Sequence, residues 1–188
     1  MAYVVVYDAC VLHDPAIRDL LIRCATKRQL NFRAHRSDEI LDEMVRSILR
    51  RRPDLDEHRL QRTREMMNES VADCLVTDFR QLIDAVVLPD PKDRHVVACA
   101  IKAQAQAIVT ENLSDFPEEA LVPFDIEAVH PDEFVLGLFD LNPAVVATVF
   151  QEQVNDLRKP PTTMTDAIDI VRQRGLPRTA DALGAVLL

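Results

Sequence analysis

Apolar and polar positions along the first 130 residues form blocks that predict strands and helices in turn. The run Tyr3–Tyr7 is short, apolar and β-branched, which is typical of a strand buried on both faces. Further strand-like runs occur at residues 32–35, 107–110 and 124–129. Between them, apolar residues recur at helical spacing after Pro15, Ser37 and Asp93. Strands that alternate with helices predict an α/β fold with a parallel central sheet.

The pattern changes after residue 130. Residues 132–139, 143–157 and 163–175 have the spacing of helices, and Pro177 is expected to act as a helix breaker after them. No internal repeat or low-complexity tract is present. We therefore expect one α/β domain over residues 1–130 and a C-terminal α-helical extension over residues 131–188.

The scarcity of glycine excludes two common nucleotide-binding sites. The chain has 3 glycines, and all of them lie in the predicted extension. Dinucleotide-binding turns and P-loops both need glycines directly after a strand, and the turn after the first strand here runs from Asp8 to Leu12 without one. A phosphatase of the haloacid dehalogenase type would need a second aspartate where Cys10 stands.

The formal net charge of −9 argues against nucleic-acid binding by bulk attraction. A run of arginines between Arg46 and Arg64 is a local exception. Such a stripe is compatible with RNA binding, because the guanidinium fork suits phosphate. Acidic residues are mixed into it, so a solvated helix face is an equally good interpretation.

Neither the cysteines nor the hydropathy indicates an extracellular or membrane protein. The four cysteines lack paired spacing and lie among apolar neighbours, so we interpret them as reduced, buried thiols. No stretch is long and apolar enough to span a bilayer, and the start of the chain does not resemble a signal peptide. A cytoplasmic location without membrane association is expected.

Carboxylates cluster where the predicted strands end. They are Asp8 after the first strand, Asp115 (with Asn112) after the strand at 107–110, and Asp90 and Asp93 ahead of the helix that leads into that strand. Any one of them alone could be only a helix cap or a turn residue. In an open parallel sheet, however, ligands bind beyond the carboxyl ends of the strands. Converging carboxylates repel one another unless a cation neutralises them, which indicates Mg²⁺ or Mn²⁺.

Four segments in series resemble the PIN domain, in particular the VapC-like toxin ribonucleases of type II toxin–antitoxin systems. They are Val5-Val6-Tyr7-Asp8-Ala9-Cys10-Val11-Leu12, Ser37-Asp38-Glu39-Ile40-Leu41-Asp42-Glu43-Met44, Asp90-Pro91-Lys92-Asp93-Arg94-His95 and Thr110-Glu111-Asn112-Leu113-Ser114-Asp115-Phe116-Pro117. Together they cover about the first 130 residues. The resemblance implies a three-layer α/β/α fold and Mg²⁺-dependent endonucleolytic cleavage of RNA phosphodiester bonds by metal-activated water.

The same resemblance implies roles for individual residues. The catalytic and metal-binding acids would be Asp8, Glu43, Asp93 and Asp115. Supporting residues would be Thr110, Asn112 and Asp90, and Lys92 and Arg94 are close enough in sequence to contact phosphate. Helical periodicity alone does not choose among Glu39, Asp42 and Glu43, and only the resemblance favours Glu43. Histidine is not required, so His95 is interpreted as incidental.

Partners and rival functions complete the expectations. The resemblance implies an RNA substrate, a small antitoxin protein that restrains the nuclease, and a homodimer. One alternative is a non-catalytic PIN-like interaction module that keeps the fold without turnover. Another is a structure-specific DNA nuclease with the same acids, although this chain has little spare length for the elements that hold DNA.

Overall fold

The computed structural model describes residues 2–157 and 161–188, which form two compact units. The first unit holds the residues up to His13 together with Phe32–His130. The second holds Asp14–Asn31 together with the described residues from Pro131 onward. The segment 14–31, which lies within the predicted α/β domain, thus packs with the C-terminal helices.

A four-stranded parallel sheet forms the centre of the first unit. Its strands are β1 (Tyr3–Tyr7), β2 (Phe32–His35), β3 (Ala107–Val109) and β4 (Glu127–Val129), in the order β2-β1-β3-β4. Val5 of β1 pairs with Ala34 on one side and with Ala107 on the other. Val5, Val6 and Tyr7 are fully buried, as the apolar run predicts. Because all strands run the same way, their carboxyl ends share one edge.

The helices of the first unit are amphipathic and bury their apolar stripes. They are α2 (Asp38–Arg51), α3 (Glu57–Ser70), α4 (Arg94–Ala103) and the short α5 (Glu118–Leu121). Ser37 caps α2 by accepting a hydrogen bond from the Ile40 N–H at 3.3 Å. The stripe of α2 buries Ile40, Leu41, Met44, Val45 and Ile48. Its opposite face, which carries the acids and arginines, therefore remains outside the core.

Arg36, directly after β2, fixes the point where α2 begins. Its main chain forms a parallel bridge with the segment 74–76, through bonds of 2.9 Å to the Cys74 carbonyl and from the Val76 N–H. The guanidinium is fully buried and donates to the Asn68 side chain at 3.0 Å and the Met67 carbonyl at 2.5 Å. Because both the main chain and the guanidinium of Arg36 are hydrogen-bonded, this buried residue gives α2 a fixed start.

The second unit is mainly helical in the part of the chain that the structure describes. Its helices are α1 (Pro15–Thr26), α6 (Pro131–Leu141), α7 (Pro143–Asp156), α8 (Met164–Gln173) and α9 (Pro177–Leu187). Two ion pairs of 2.8 Å, Arg23–Asp156 and Lys27–Glu152, join α1 or its C-cap to α7. No helix in the ranges 2–157 and 161–188 is long and apolar enough to cross a membrane.

The predicted fold class is confirmed: a parallel α/β sheet with surrounding helices is accompanied by C-terminal helices. A helix ends before Pro177 as expected, because α8 ends at Gln173, but Pro177 is also the first residue of a further helix, α9, which the sequence analysis did not predict. A proline fits this position because the first helical N–H needs no intrahelical acceptor. The capping carboxylate comes from α6, where the buried Asp132 accepts bonds from the N–H groups of Arg178 (3.1 Å) and Thr179 (2.8 Å).

Candidate active site

Asp8 lies at the carboxyl end of the inner strand β1 and is held by donors on both carboxylate oxygens. Its Oδ1 accepts the Ala9 N–H at 2.6 Å. Its Oδ2 accepts the Thr110 hydroxyl at 2.8 Å and the Cys10 thiol at 3.0 Å. The side chain is only 6% exposed. Burial with this many partners holds the carboxylate in one orientation, towards the shared edge of the sheet.

Thr110 brings the loop after β3 to the same place. It is fully buried, and its N–H donates to the Val129 carbonyl of β4 at 3.0 Å. Its hydroxyl donates to Asp8 and accepts the Asn112 N–H at 3.1 Å. The predicted supporting role of Asn112 thus has a main-chain contact, while the residue itself is exposed. Neighbouring strands β1 and β3 explain why residues so far apart in sequence meet.

Asp93, at the start of α4, lies among the other predicted acids. Burial raises the pKa of its carboxyl from the usual 3.8 to about 7, and the negative charges of four neighbours add to the effect. These neighbours are Asp8, Glu43, Asp90 and Asp115. Asp90 also caps the short 3₁₀ turn before α4, by accepting the Lys92 N–H at 2.9 Å. The carboxylates are therefore close enough to perturb one another.

Glu43 on α2 faces this cluster. Burial raises the pKa of its carboxyl, as do the charges of Asp8 and Asp90, whereas His95 and Arg46 act in the opposite direction. Neighbouring acids of α2 have other partners: Glu39 accepts from Arg80 at 2.7 Å and Asp42 accepts from Arg64 at 2.5 Å. The pKa of Glu43 is thus raised, whereas the hydrogen bond from Arg80 leaves the pKa of Glu39 below its ordinary value.

Comparison with known families gives the fold a name. The profile of the PIN domain matches residues 4–114, more than half of the chain. The chain belongs to the PIN-domain family. The resemblance to the PIN domain that the sequence analysis described is thereby confirmed. A second profile, the VapC50 C-terminal domain, matches residues 131–185.

A curated protein of Mycobacterium tuberculosis (strain ATCC 25618 / H37Rv), "Putative ribonuclease VapC50", is 40% identical over 83 residues. The match covers 44% of this chain and 49% of that protein, so it spans about half the length of the relative. No solved structure gives a significant match.

His95 is a neighbour of this PIN-domain acid cluster that the sequence analysis treated as incidental. Its Nδ1 donates to the Lys92 carbonyl at 2.7 Å, since a carbonyl can only accept. Its Nε2 lies 3.4 Å from the Glu43 Oε2, within range of an ion pair but without hydrogen-bond geometry. The imidazole is thus oriented towards Glu43. Its place two residues after Asp93, on the first turn of α4, was the available signal.

Cys10 also differs from its interpretation as a buried apolar side chain. It is partly exposed, and its thiol donates to Asp8 and accepts the Glu111 N–H at 3.2 Å. Burial raises the pKa of the thiol well above its ordinary value, and the charge of Asp8 adds to this. The other three cysteines are buried, as expected. Cys10 therefore joins the turn after β1 to the loop after β3.

The two candidate phosphate contacts have different surroundings. Lys92 is exposed. The Nε of Arg94 is buried and has no hydrogen-bond partner among the described residues. Lys92 lines a cleft of about 480 Å³ with residues of α2 and α4, namely Glu39, Glu43, Arg46, Ser47, Arg50 and His95. The cleft thus runs along α2 from Glu39 past Glu43 to Arg50.

The donor set suits a hard divalent cation. Carboxylate and hydroxyl oxygens are the ligands that Mg²⁺ and Mn²⁺ prefer. Within the ranges that the structure describes, no group of three or more His, Cys, Asp or Glu side chains already has a metal-holding arrangement.

Proposed function

We propose that this chain is a metal-dependent endoribonuclease and the toxin of a type II toxin–antitoxin pair. The observation that carries the proposal is the place of Asp93, where burial together with the charges of Asp8, Glu43, Asp90 and Asp115 raises the pKa of its carboxyl to about 7. Perturbed carboxylates at the edge of a parallel sheet are typical of active sites. The relative's printed name, a ribonuclease, supports RNA as the substrate class.

Asp8, Glu43, Asp93 and Asp115 are the proposed catalytic acids and would hold Mg²⁺, with Mn²⁺ as a substitute. When bound, such a cation neutralises the carboxylates and stabilises the charge that develops in phosphoryl transfer. Asp8 is the best ordered of the four, because donors hold both of its oxygens. A fixed ligand loses little conformational freedom when it binds, which favours affinity.

Other residues of this edge have supporting roles in the proposal. Thr110 orients Asp8 and, through the Asn112 N–H, the loop that carries Asp115. Asp90 shapes the turn before Asp93. Lys92 and Arg94 would contact the phosphate next to the cleaved bond, where a cation stabilises developing negative charge.

The wider biological role also belongs to the proposal. We expect a small antitoxin protein to bind and restrain the nuclease, a homodimer to form, and the protein to act in the cytoplasm. The match of residues 131–185 to the VapC50 C-terminal domain supports a distinct extension over 131–188, with the nuclease function in 1–130. Helix α1, although it packs in the second unit, belongs in this scheme to the nuclease sequence.

Cleavage assays on RNA and DNA, with Mg²⁺ or Mn²⁺ and with EDTA, test this function. We expect cleavage of RNA with metal and none with EDTA. Asp8→Asn should slow cleavage by roughly a hundredfold or more, because several kcal/mol of charge stabilisation depends on the metal. Asp84→Asn, an exposed aspartate of the same unit, is the matched control. Cleavage of DNA alone would favour the DNA nuclease, and no cleavage of either would favour the non-catalytic module.

A further inference from the structure

One face of α2, with Glu43 on it, forms a wall of this cleft. At about 100° per residue, Arg46 and Arg50 lie within about 60° of Glu43 around the helix axis. Both arginines line the cleft and are exposed. From Glu43 they lie about 4.5 Å and about 10.5 Å further along the axis, at 1.5 Å per residue. The cleft therefore leads from the acid cluster past two successive guanidinium groups.

The cations of the cleft have no close partner within the described part of the chain, and Arg46 acts on Glu43 through its charge alone. The side chains of Arg46, Arg50 and Lys92 make no hydrogen bond or ion pair with any residue in 2–157 or 161–188. Two nearby arginines differ: Arg64 pairs with acids of α2, and so does Arg80. The positive charges along the cleft are thus available to an anionic ligand.

We propose that Arg46 and Arg50 bind two successive phosphates of single-stranded RNA on one side of the cleaved bond. This inference rests on the proposed function, which places the cleaved phosphate at the acid cluster. The rise of about 6 Å between residues four apart in a helix is of the order of the spacing between successive phosphates. Lys92 contributes a third positive charge at the cleft.

The overall charge of the protein explains why such a track is needed. At −9, the chain repels RNA beyond its immediate surface. Screening limits that repulsion to about 8 Å at physiological salt, so local cations decide whether a strand can settle beside the acids. An arginine can hold a phosphate with two parallel hydrogen bonds, which also fixes the direction of the strand.

The lining of the cleft favours RNA over a protein partner. Every residue along it is charged or polar: Glu39, Glu43, Arg46, Ser47, Arg50, Lys92 and His95. Stable protein interfaces depend on buried apolar and aromatic anchors at their centre, and this face supplies none. Recognition of a nucleic-acid backbone depends on cations and hydrogen-bond donors, which are present here.

Arginine variants of α2 test the inference. Arg46→Gln and Arg50→Gln each remove one cleft cation, and Arg51→Gln removes the same charge from the adjacent exposed position outside the cleft. All three are combined with Asp8→Asn, so that the RNA stays intact. Binding of a fluorescein-labelled single-stranded RNA of about 12 nucleotides, within the usual range of site sizes, is followed by anisotropy with Mg²⁺.

The cleft variants should each weaken binding about tenfold, as expected for a lost charge-assisted hydrogen bond. Each should also reduce the dependence of log affinity on log salt by about one unit of slope. The Arg51 variant should change affinity by about twofold or less. When the phosphate that Arg50 contacts is replaced by an uncharged methylphosphonate, Arg50→Gln should no longer change the RNA affinity. A merely structural effect of the substitution would persist with the modified RNA.

The outcomes separate this inference from the proposed function. Equal binding by the Arg50 and Arg51 variants would overturn the inference, even if the wild-type chain cleaves RNA. Weaker binding by Arg50→Gln in a chain that cleaves no RNA would support the inference and refute the nuclease function. If the cleft variants instead lose a protein partner and keep RNA affinity, the cleft is a protein contact and the inference is wrong.

Discussion

Replacing Asp93 with asparagine should stabilise the metal-free protein at neutral and alkaline pH. In the folded state, burial and four neighbouring carboxylates raise the pKa of Asp93 from 3.8 to about 7. A folded-state pKa above the unfolded one means that the folded protein binds this proton more tightly. The contribution of Asp93 to the free energy of unfolding therefore falls as pH rises from about 4 to about 7, and stays low above that range.

The size of this effect follows from the shift and from the exposure of the side chain. Without screening, a shift from 3.8 to about 7 corresponds to roughly 4 kcal/mol, at about 1.36 kcal/mol per pKa unit. Asp93 is only partly buried, so solvent reduces its repulsion from the other acids. We expect Asp93→Asn to raise the free energy of unfolding by about 1–2 kcal/mol near pH 8 and by little near pH 4.

Urea denaturation in EDTA at both pH values measures this difference. The only 2 tyrosines, Tyr3 and Tyr7, both lie in β1, and the chain has no tryptophan, so the near-ultraviolet signal of tyrosine reports on the first unit. Asp84→Asn is the control, because it removes an exposed charge elsewhere in that unit. An Asp93→Asn protein no more stable than wild type near pH 8, or equally stabilised at both pH values, would refute the reasoning.

Two further predictions concern the Cys10 thiol and the Asp132 cap of α9. Cys10, although partly exposed, should react with iodoacetamide far more slowly than free cysteine near neutral pH, because burial and the charge of Asp8 raise its thiol pKa; peptide mass spectrometry measures the rate, and alkylation at the rate of free cysteine would contradict this. Asp132→Ala should lower the free energy of unfolding of the second unit by about 2 kcal/mol, because it leaves two N–H groups of α9 without their acceptor, and that of Thr179 is buried. Hydrogen exchange of the α9 amides is the measurement, and unchanged protection would show that the cap is dispensable.

The central sheet and the meeting of Asp8 with Thr110 were predictable because they depend on local pattern and on one topological rule. The apolar run of β1 ends at Tyr7, and that of β3 is followed by Thr110, so each strand carries its polar residue to the carboxyl edge. Parallel pairing of β1 with β3 then brings them within 2.8 Å. The spacing of apolar residues can be read from the sequence, and strands joined through helices are expected to run parallel.

Features that depend on distant partners were not predictable in this way. The packing of α1 with the C-terminal helices is held by pairs such as Arg23 with Asp156, far apart in sequence. Helix α9 is capped by Asp132 from another helix, so the sequence just before it lacks a capping side chain and only Pro177 marks its start. Cys10 and His95 gained polar roles only because the fold places Asp8 and Glu43 beside them.

The choice among the acids of α2 shows the same limit at the site itself. Helical spacing places Glu39 and Glu43 one turn apart, with Asp42 beside them. Periodicity therefore does not distinguish which of the three would bind the metal. The structure separates them by what lies opposite: Arg80 pairs with Glu39, and Arg64 pairs with Asp42.

Glu43 differs because no arginine or lysine of the described residues forms an ion pair with it. Its near partner is His95 at 3.4 Å, and the charges of Asp8 and Asp90 act on it from the acid cluster. A carboxylate already neutralised by an arginine would give up that pair in order to bind a cation, whereas Glu43 would be relieved of repulsion. The energetic balance therefore supports the proposal that Glu43 is the acid that α2 contributes, on grounds independent of the family resemblance.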